Sequence, residues 1–144
     1  MARILVVGGS LGGLLAANLL LRDGHDVTLL EKAAGSLDGR GAGIITHPAL
    51  IDALRRAGAT VDASLGVWVE ERRVLGADGS VVTRMPLAQL LTSWSRLYAL
   101  LLAAFPAARY RQGVAVTRVE DCGDGVRAHA DGGAVFEAEL LIAR

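Results

Sequence analysis

The sequence predicts an α/β fold that opens with a strand, a helix and a second strand, on three observations within residues 1–31. An apolar run at Ile4–Val7 leads directly into a glycine-rich turn at residues 8–13. A leucine- and alanine-rich segment follows, and a second apolar run, Val27–Leu30, ends in Glu31. A buried strand, a glycine turn, a helix and a strand that ends in a carboxylate are, in this order, typical of a Rossmann-type βαβ unit.

The glycine turn predicts a pyrophosphate-binding site. Glycines at Gly8 and Gly12 allow a sharp reversal in which backbone N–H groups approach a phosphate, whose charge the helix N-terminus favours. Gly13 leaves room for the helix to pack against the first strand. Ser10 replaces the middle glycine of the usual pattern, and we expect this small side chain to weaken binding without abolishing it. Together with Leu11, these residues form the predicted phosphate-binding turn.

The carboxylate at the end of the second strand predicts a nucleotide-binding role. Glu31 lies about twenty residues beyond the turn, where a carboxylate can accept hydrogen bonds from both hydroxyls of an adenosine ribose. Such contacts require a free 2′-hydroxyl and therefore favour FAD or NAD over NADP. Glu31 and the adjacent Lys32 complete the predicted nucleotide-binding residues of this unit. The alternative is a glycine-rich turn in some other α/β domain.

Length and composition limit the remaining possibilities. The chain has 144 residues, which gives room for one domain, residues 1–144, with one core. Its 15 basic and 15 acidic residues balance, which gives no electrostatic reason for a nucleic-acid or membrane partner. The apolar runs are shorter than the roughly twenty residues of a membrane span. Because Met1–Arg3 leads into a strand rather than a signal peptide, a cytoplasmic location is expected.

Two helices are predicted on either side of an irregular segment. The first runs over about residues 12–23 and stops at Gly24, and the second starts at Pro48 and ends at Gly58. Between them, the glycine-rich residues 34–43 are too irregular for a regular element and can lie flat against a ligand.

The next segments predict a β-hairpin and a third helix. Residues 67–75 and 81–85 flank an Asp-Gly turn at residues 77–80, and their charged residues predict that one face of the hairpin is solvated. Apolar residues at helical spacing then predict a helix over residues 94–105, which Pro106 closes.

The last part of the chain predicts more strands. From Val114 onward, alternating residues indicate a β-meander with turns at residues 123–125 and 131–133. The final apolar segment, Glu139–Ile142, is predicted to lie in the interior of a sheet. The single cysteine, Cys122, excludes an internal disulfide and is expected to be structural or incidental.

Two tryptophans could stack on a ring system, but their positions favour another role. Trp68 lies in a predicted strand and Trp94 in an apolar helical stripe, so both are predicted to be packing residues. His25 and His47 show no spacing that indicates a metal or catalytic partner.

These residues resemble the FAD-binding part of the single-component flavin-dependent aromatic hydroxylases, the p-hydroxybenzoate hydroxylase-like monooxygenases. Residues 8–14 are similar to the pyrophosphate loop of that family, and the Gly-Gly-Ser opening is similar to the branch that acts on hydroxylated pyridines. Glu31 matches the ribose-binding acid of the family. Residues 40–44 are similar to a loop beside the flavin ring, and residues 95–98 to a helix start where an arginine contacts FAD. By this resemblance, further candidate cofactor residues are Arg40, Gly43, Ile44 and Arg96.

For both arginines, simple exposure to solvent remains an alternative to cofactor binding. Arg96 lies off the apolar stripe, as expected equally for a solvated residue and for one that reaches a phosphate. Arg40 lies in an irregular loop, where it could simply be exposed to solvent.

The resemblance implies an FAD-binding oxidoreductase in which NAD(P)H reduces the flavin and oxygen supplies a hydroxyl group to an aromatic small molecule. The family continues beyond its last matching strand into a Gly-Ala-Asp-Gly turn and a substrate domain, whereas this sequence stops at Arg144. The expected fold is therefore incomplete relative to full-length relatives. Catalysis is expected to need the missing C-terminal portion, and no catalytic residue is predicted. The expected protein partners are a complementing C-terminal polypeptide or a second copy in a homo-oligomer.

Two other functions remain open at this point. The first is an NAD-binding oxidoreductase built on the same βαβ unit, although the loop at residues 40–44 favours FAD over NAD. The second is a non-catalytic module that binds a nucleotide, or a partner through the apolar surface that a substrate domain would cover.

Overall fold

The computed structural model describes residues 1–37, 39 and 41–143 and contains three sheets within that part. In chain order the helices and strands are β1 (Arg3–Val7), α1 (Leu11–Arg22), β2 (Asp26–Glu31), β3 (Gly43–Ile45), α2 (Pro48–Arg56), β4 (Val67–Leu75), β5 (Val81–Ser93), α3 (Trp94–Ala104), β6 (Tyr110–Gln112), β7 (Val116–Asp121), β8 (Val126–Ala130), β9 (Val135–Ala138) and β10 (Leu140–Ala143).

A four-stranded parallel sheet of order β10-β1-β2-β6 forms the centre of the molecule. Strands β1 and β2 pair from Arg3↔Asp26 to Val7↔Leu30, and α1 connects them. The predicted βαβ unit is therefore confirmed, with α1 one residue earlier at each end than predicted. Because parallel strands are covered on both faces, the apolar runs of β1 and β2 are almost entirely buried.

Different layers cover the two faces of this sheet. Ile4 and Val6 of β1 belong to a core cluster that includes residues of all three helices. Leu5 and Leu30 point the other way, into a second cluster with Ala128 and Ala138 of the predicted meander. The meander itself is confirmed as the antiparallel sheet β7-β8-β9.

The outer strands of the parallel sheet differ from the sequence predictions. The last strand, β10, was predicted to lie in a sheet interior, but it pairs only with β1 and forms an edge of the described sheet. Leu140 is accordingly about half exposed. At the opposite edge, β6 pairs with β2 although no strand was predicted there. It has three residues, too few to produce a recognisable alternation.

The hairpin is longer and more exposed than predicted. Its second strand, β5, continues through Pro86 to Ser93, whereas the pattern ended at Met85. Pro86 is tolerated because it lies at a register irregularity opposite Glu71. Side chains on both faces are exposed rather than on one, and Trp68, predicted to pack, is 62% exposed.

The far end of β5 also pairs with β3, from Gly43↔Ser93 to Ile45↔Leu91. Gly43 therefore belongs to a strand, which corrects the prediction that residues 34–43 contain no regular element. The pairing brings the glycine-rich loop to the start of α3.

The two remaining helices were predicted close to their observed bounds. His47 caps α2, since its Nδ1 accepts a hydrogen bond from the Leu50 N–H at 3.3 Å. Ser93 caps α3 in the same way, its Oγ accepting from the Arg96 N–H at 3.1 Å. The buried Asn18 side chain donates to the Leu101 carbonyl oxygen at 2.9 Å and ties α1 to α3. None of the helices in the described part is long and apolar enough to cross a membrane.

Candidate functional site

A cleft of about 330 Å³, the main cleft, opens at the carboxyl ends of β1 and β2. This is the edge of a parallel sheet at which ligands of open α/β folds bind. The residues around it come from the glycine turn, the end of β2, the start of α3 and the segment that leads into β7. They are Val7, Gly8, Ser10, Leu30, Glu31, Lys32, Leu37, Trp94, Val114, Ala115 and Val116.

The glycine turn is tightly packed against the first turn of α1. Gly8 has a φ of 107°, a conformation that favours glycine, and its N–H donates to the Leu30 carbonyl oxygen at 2.8 Å. A Cβ on Gly13 would overlap the Gly8 carbonyl oxygen and lie 3.0 Å from its carbon. Gly13 is therefore required for close packing, as predicted, although its nearest neighbour is the turn rather than the strand.

Glu31 is held in place by the backbone. Its side chain is buried, with the residue only 6% exposed, and it borders the cleft. One carboxylate oxygen, Oε2, accepts a hydrogen bond from the Gly9 N–H at 2.7 Å, and Oε1 accepts from the Ala33 N–H at 2.8 Å. Each oxygen has a second lone pair, so the carboxylate can accept further hydrogen bonds from a ligand.

Ser10 and Lys32 lie where the sequence predicted them, beside the cleft. Ser10 is the N-cap residue of α1 but makes no side-chain capping hydrogen bond, and both residues are exposed. The first turn of α1 contains no acidic residue. The positive end of the helix dipole is therefore not offset by a side chain there, which favours an anionic ligand.

Leu11 and Gly12 face a different surface. They border a small apolar cleft of about 150 Å³ between the helices, together with Leu50, Leu54 and Leu97. The Leu11 side chain packs against the core formed by the helices, and a direct role of these two residues in the main cleft is left to the backbone of this turn.

The loop assigned by resemblance is only partly described. Arg40 lies outside the described residues. Gly43 and Ile44 form part of β3 and border another cleft along β4 and β5, not the one beside Glu31. The loop nevertheless contacts Trp94 of the main cleft, since a Cβ on Gly41 would lie 2.6 Å from the Trp94 Cγ. The Trp94 N–H donates to the Ala42 carbonyl oxygen at 3.1 Å.

Arg96 does not border the main cleft. Its guanidinium donates to the Ser64 hydroxyl, and its Nε is buried without a hydrogen-bond partner among the described residues. Ser64 in turn hydrogen-bonds to Asp62, and these bonds, with the nearby charge of Arg96, lower the pKa of the Asp62 carboxyl. The arginine is thus oriented by the turn that precedes β4.

Sequence reasoning missed several residues of the cleft. Trp94 was predicted to pack; it does stack on Tyr98, with ring centroids 5.0 Å apart and planes inclined by 12°, but it also borders the cleft. Val114 was predicted only as a strand residue, yet its N–H donates to the Glu31 carbonyl oxygen at 2.9 Å and places residues 114–116 beside the cleft. Only the aromatic character of Trp94 gave any signal of a ligand contact.

Comparison with known proteins identifies the family. Residues 1–66 match the family described as the FAD binding domain. The chain is 32% identical to a 6-hydroxynicotinate 3-monooxygenase of Pseudomonas fluorescens, over 97% of this chain and 39% of the relative. It is 33% identical to a 2,6-dihydroxypyridine 3-monooxygenase of Paenarthrobacter nicotinovorans, over 97% of this chain and 35% of the relative. The chain contains an FAD-binding domain, and it is similar to part of these aromatic-ring monooxygenases.

Solved structures agree with this assignment. The 2,6-dihydroxypyridine-3-hydroxylase from Arthrobacter nicotinovorans superposes with a TM-score of 0.87 at 30% identity, over 97% of this chain and 36% of that one. A Klebsiella pneumoniae HpxO variant complexed with FAD shares the fold, with a TM-score of 0.83 at 21% identity, over 98% of this chain and 39% of that one. The predicted family, fold class and cofactor are therefore confirmed. This FAD-binding domain spans less than two fifths of the length of these relatives.

The residues of the main cleft fit FAD. The close approach of Gly13 to the turn, the helix N-terminus without an acidic residue and the carboxylate of Glu31 are what a dinucleotide requires. The described residues contain no group of three or more His, Cys, Asp or Glu side chains that could hold a metal ion.

Proposed function

We propose that this domain binds FAD with the adenosine ribose at Glu31 and the pyrophosphate at the glycine turn. The observation that carries the proposal is the Glu31 carboxylate, which is buried, borders the cleft and is fixed by one backbone N–H on each oxygen. A carboxylate held in this way needs no rearrangement to accept the two ribose hydroxyls, so the binding geometry is formed in advance.

The other predicted cofactor residues have graded support. Gly8, Ser10 and Lys32 border the cleft beside Glu31, which supports contacts with the dinucleotide. Gly13 supports binding through the packing of the turn. A role for Leu11 and Gly12 rests on the pattern of the glycine turn and would be made through its backbone. A role for the remaining candidates rests on the resemblance alone and requires FAD to extend from the cleft past Trp94: Arg40, Gly43, Ile44 and Arg96.

We further propose that the domain serves a monooxygenase acting on an aromatic small molecule, with NAD(P)H as reductant. The names of the two relatives support this, because both are 3-monooxygenases of hydroxylated pyridine-type rings. When bound, FAD supplies the redox chemistry, while the residues of this domain bind and orient it. A complementing polypeptide or a homo-oligomer would supply the rest of the substrate site, and a cytoplasmic location stays a prediction.

A titration tests the cofactor proposal directly. The purified chain, freed of bound nucleotide, is titrated with FAD and, separately, with NAD, while flavin fluorescence and absorbance are recorded. We expect saturable binding of one FAD per chain and much weaker binding of NAD. Binding of NAD alone would favour the NAD-binding oxidoreductase. A chain that binds neither ligand would favour the non-catalytic module.

A further inference from the structure

Gly9 is the residue of the glycine turn whose importance the sequence pattern does not reveal. In the usual motif its position accepts any residue. Here a Cβ on Gly9 would overlap the Tyr110 hydroxyl and lie 2.9 Å from the Tyr110 Cε2 and 3.0 Å from the Glu31 Cβ. The end of the Tyr110 side chain therefore fills the space that a side chain at residue 9 would need.

Tyr110 reaches this place through the strand that was not predicted. It is the first residue of β6 and pairs with Leu29, while Gln112 pairs with Glu31. The side chain of Tyr110 consequently extends along β2 toward the end of that strand. It meets the turn where the Gly9 N–H donates to Glu31 Oε2 at 2.7 Å.

The hydroxyl of Tyr110 occupies this position without an evident hydrogen bond. Its Oη and that of Tyr98 are both buried, and neither meets hydrogen-bond geometry with another described group. Burial, the neighbouring Tyr98 hydroxyl and the charge of Glu31 all raise the pKa of Tyr110. The phenol is therefore neutral, and its hydroxyl makes no hydrogen bond of good geometry with the described residues.

We infer that Tyr110 is a positioning residue for the FAD site, and that its hydroxyl holds the Gly9 N–H against the Glu31 carboxylate. The tip of the phenol and the Glu31 side chain both lie near the position that a Cβ of residue 9 would take, so the Gly9 backbone has little room to move toward them. Removal of the hydroxyl would leave a gap beside the most flexible residue type of the turn. Glu31 would then lose a fixed donor, and with it part of its preorganisation for the ribose. This inference rests on the proposed FAD site.

The test compares Tyr110→Phe, Gly9→Ala, the double variant and Gly35→Ala with the unmodified chain. Each protein is titrated with FAD by fluorescence, and its thermal midpoint is measured without ligand. Gly35→Ala is the matched control for Gly9→Ala, because a Cβ on Gly35 would meet no atom of the described residues within 4 Å.

We expect Tyr110→Phe to keep or raise the midpoint, because an unpaired buried hydroxyl is lost, while FAD binds about fivefold more weakly, the scale of one loosened hydrogen bond. Gly35→Ala should leave FAD affinity nearly unchanged. Gly9→Ala should weaken FAD binding by about tenfold or more through overpacking. Adding Tyr110→Phe to Gly9→Ala should restore part of that loss, since the overlap with Oη disappears and only the contact with Cε2 remains.

Two results would overturn the inference while leaving the FAD site intact. One is a Tyr110→Phe variant that binds FAD as tightly as the unmodified chain. The other is a double variant whose loss equals the product of the two single losses, which would show that the residues act independently. An unmodified chain that binds no FAD would instead overturn the proposed function, and the inference with it.

Discussion

The parallel sheet and the β4–β5 hairpin have opposite relations to solvent. In the sheet and its helices, large side chains such as Leu14, Leu29 and Leu30 are fully buried. In the hairpin, Val67, Trp68 and Val82 are each more than 60% exposed. The difference shows that the burial that stabilises the fold lies in the parallel sheet and its helices, whereas most of the hairpin adds surface without adding core.

Only the base of the hairpin takes part in the organisation of the site. There the Thr92 hydroxyl donates to the Leu65 carbonyl oxygen at 2.5 Å, and β5 pairs with β3 before it continues into α3. Among the residues that the structure describes, none of the distal part, toward the turn at residues 77–80, borders the cleft. Substitutions in the two regions should therefore have very different consequences.

The largest effect is expected at Gly13. Gly13→Val places two methyl groups where even a Cβ overlaps the Gly8 carbonyl oxygen, and backbone cannot move aside as a flexible side chain can. We expect a loss of about 3 kcal/mol in the free energy of unfolding, together with loss of FAD binding. Urea denaturation and FAD titration measure the two effects.

Gly35→Val is the matched control for this change. A Cβ on Gly35 would have no atom of the described residues within 4 Å, and its φ is not positive. The same substitution should therefore be tolerated there. A Gly13→Val variant that is as stable as Gly35→Val, and binds FAD as well, would contradict the close packing of the turn.

The next effect is expected at Glu31. Glu31→Ala removes the acceptor of the Gly9 and Ala33 N–H groups and the proposed ribose contact. We expect FAD affinity to fall by about 1–3 kcal/mol, the scale of a lost charged hydrogen bond. Glu70→Ala, in the exposed part of the hairpin, is the control and should change neither affinity nor stability. An unchanged dissociation constant in Glu31→Ala would remove the ribose assignment.

A smaller effect is expected at Arg96. If FAD extends past Trp94 to the start of α3, Arg96→Ala should weaken its binding by about 1 kcal/mol, as for a partly exposed charged contact. Arg55→Ala, an exposed arginine on α2, supplies the comparison. Equal affinities of the two variants in the fluorescence titration would leave Arg96 with its contact to Ser64 only.

The smallest effect is expected in the hairpin. Trp68→Ser should change the free energy of unfolding by about 0.5 kcal/mol or less, because the side chain is mostly exposed in the native state. The same variant should reduce self-association, since exposed apolar residues on a strand promote it. Urea denaturation and light scattering measure these effects, and a large destabilisation would show that the hairpin is packed in solution.

Local patterns in the sequence were sufficient for most of the fold. The three helices, the hairpin turn and the meander follow from apolar spacing, prolines and glycines within a few residues of each element. The predictions failed where an element depends on distant partners. Tyr110–Gln112 becomes a strand only beside β2, and Leu140–Ala143 is an edge strand only because nothing described pairs with its outer side.

The candidate site shows the same division. Gly8, Gly13 and Glu31 were recognised because their roles depend on one βαβ unit of contiguous sequence. Trp94 was assigned to packing, since periodicity indicates that a residue faces the core but not that the core has an opening there. The close contact between Gly9 and Tyr110 is between residues about a hundred positions apart, so no local sequence pattern indicated it.

By itself, then, the sequence determined the βαβ unit, because a glycine turn and a strand-end carboxylate recur at spacings that chain geometry sets. The family and the cofactor followed from its resemblance to the flavin-dependent aromatic hydroxylases. Tertiary structure alone decided which strands became edges, how far the hairpin extends into solvent and which side chains surround the cleft. Those features depend on contacts between residues far apart in sequence, and such contacts exist only once the layers have packed.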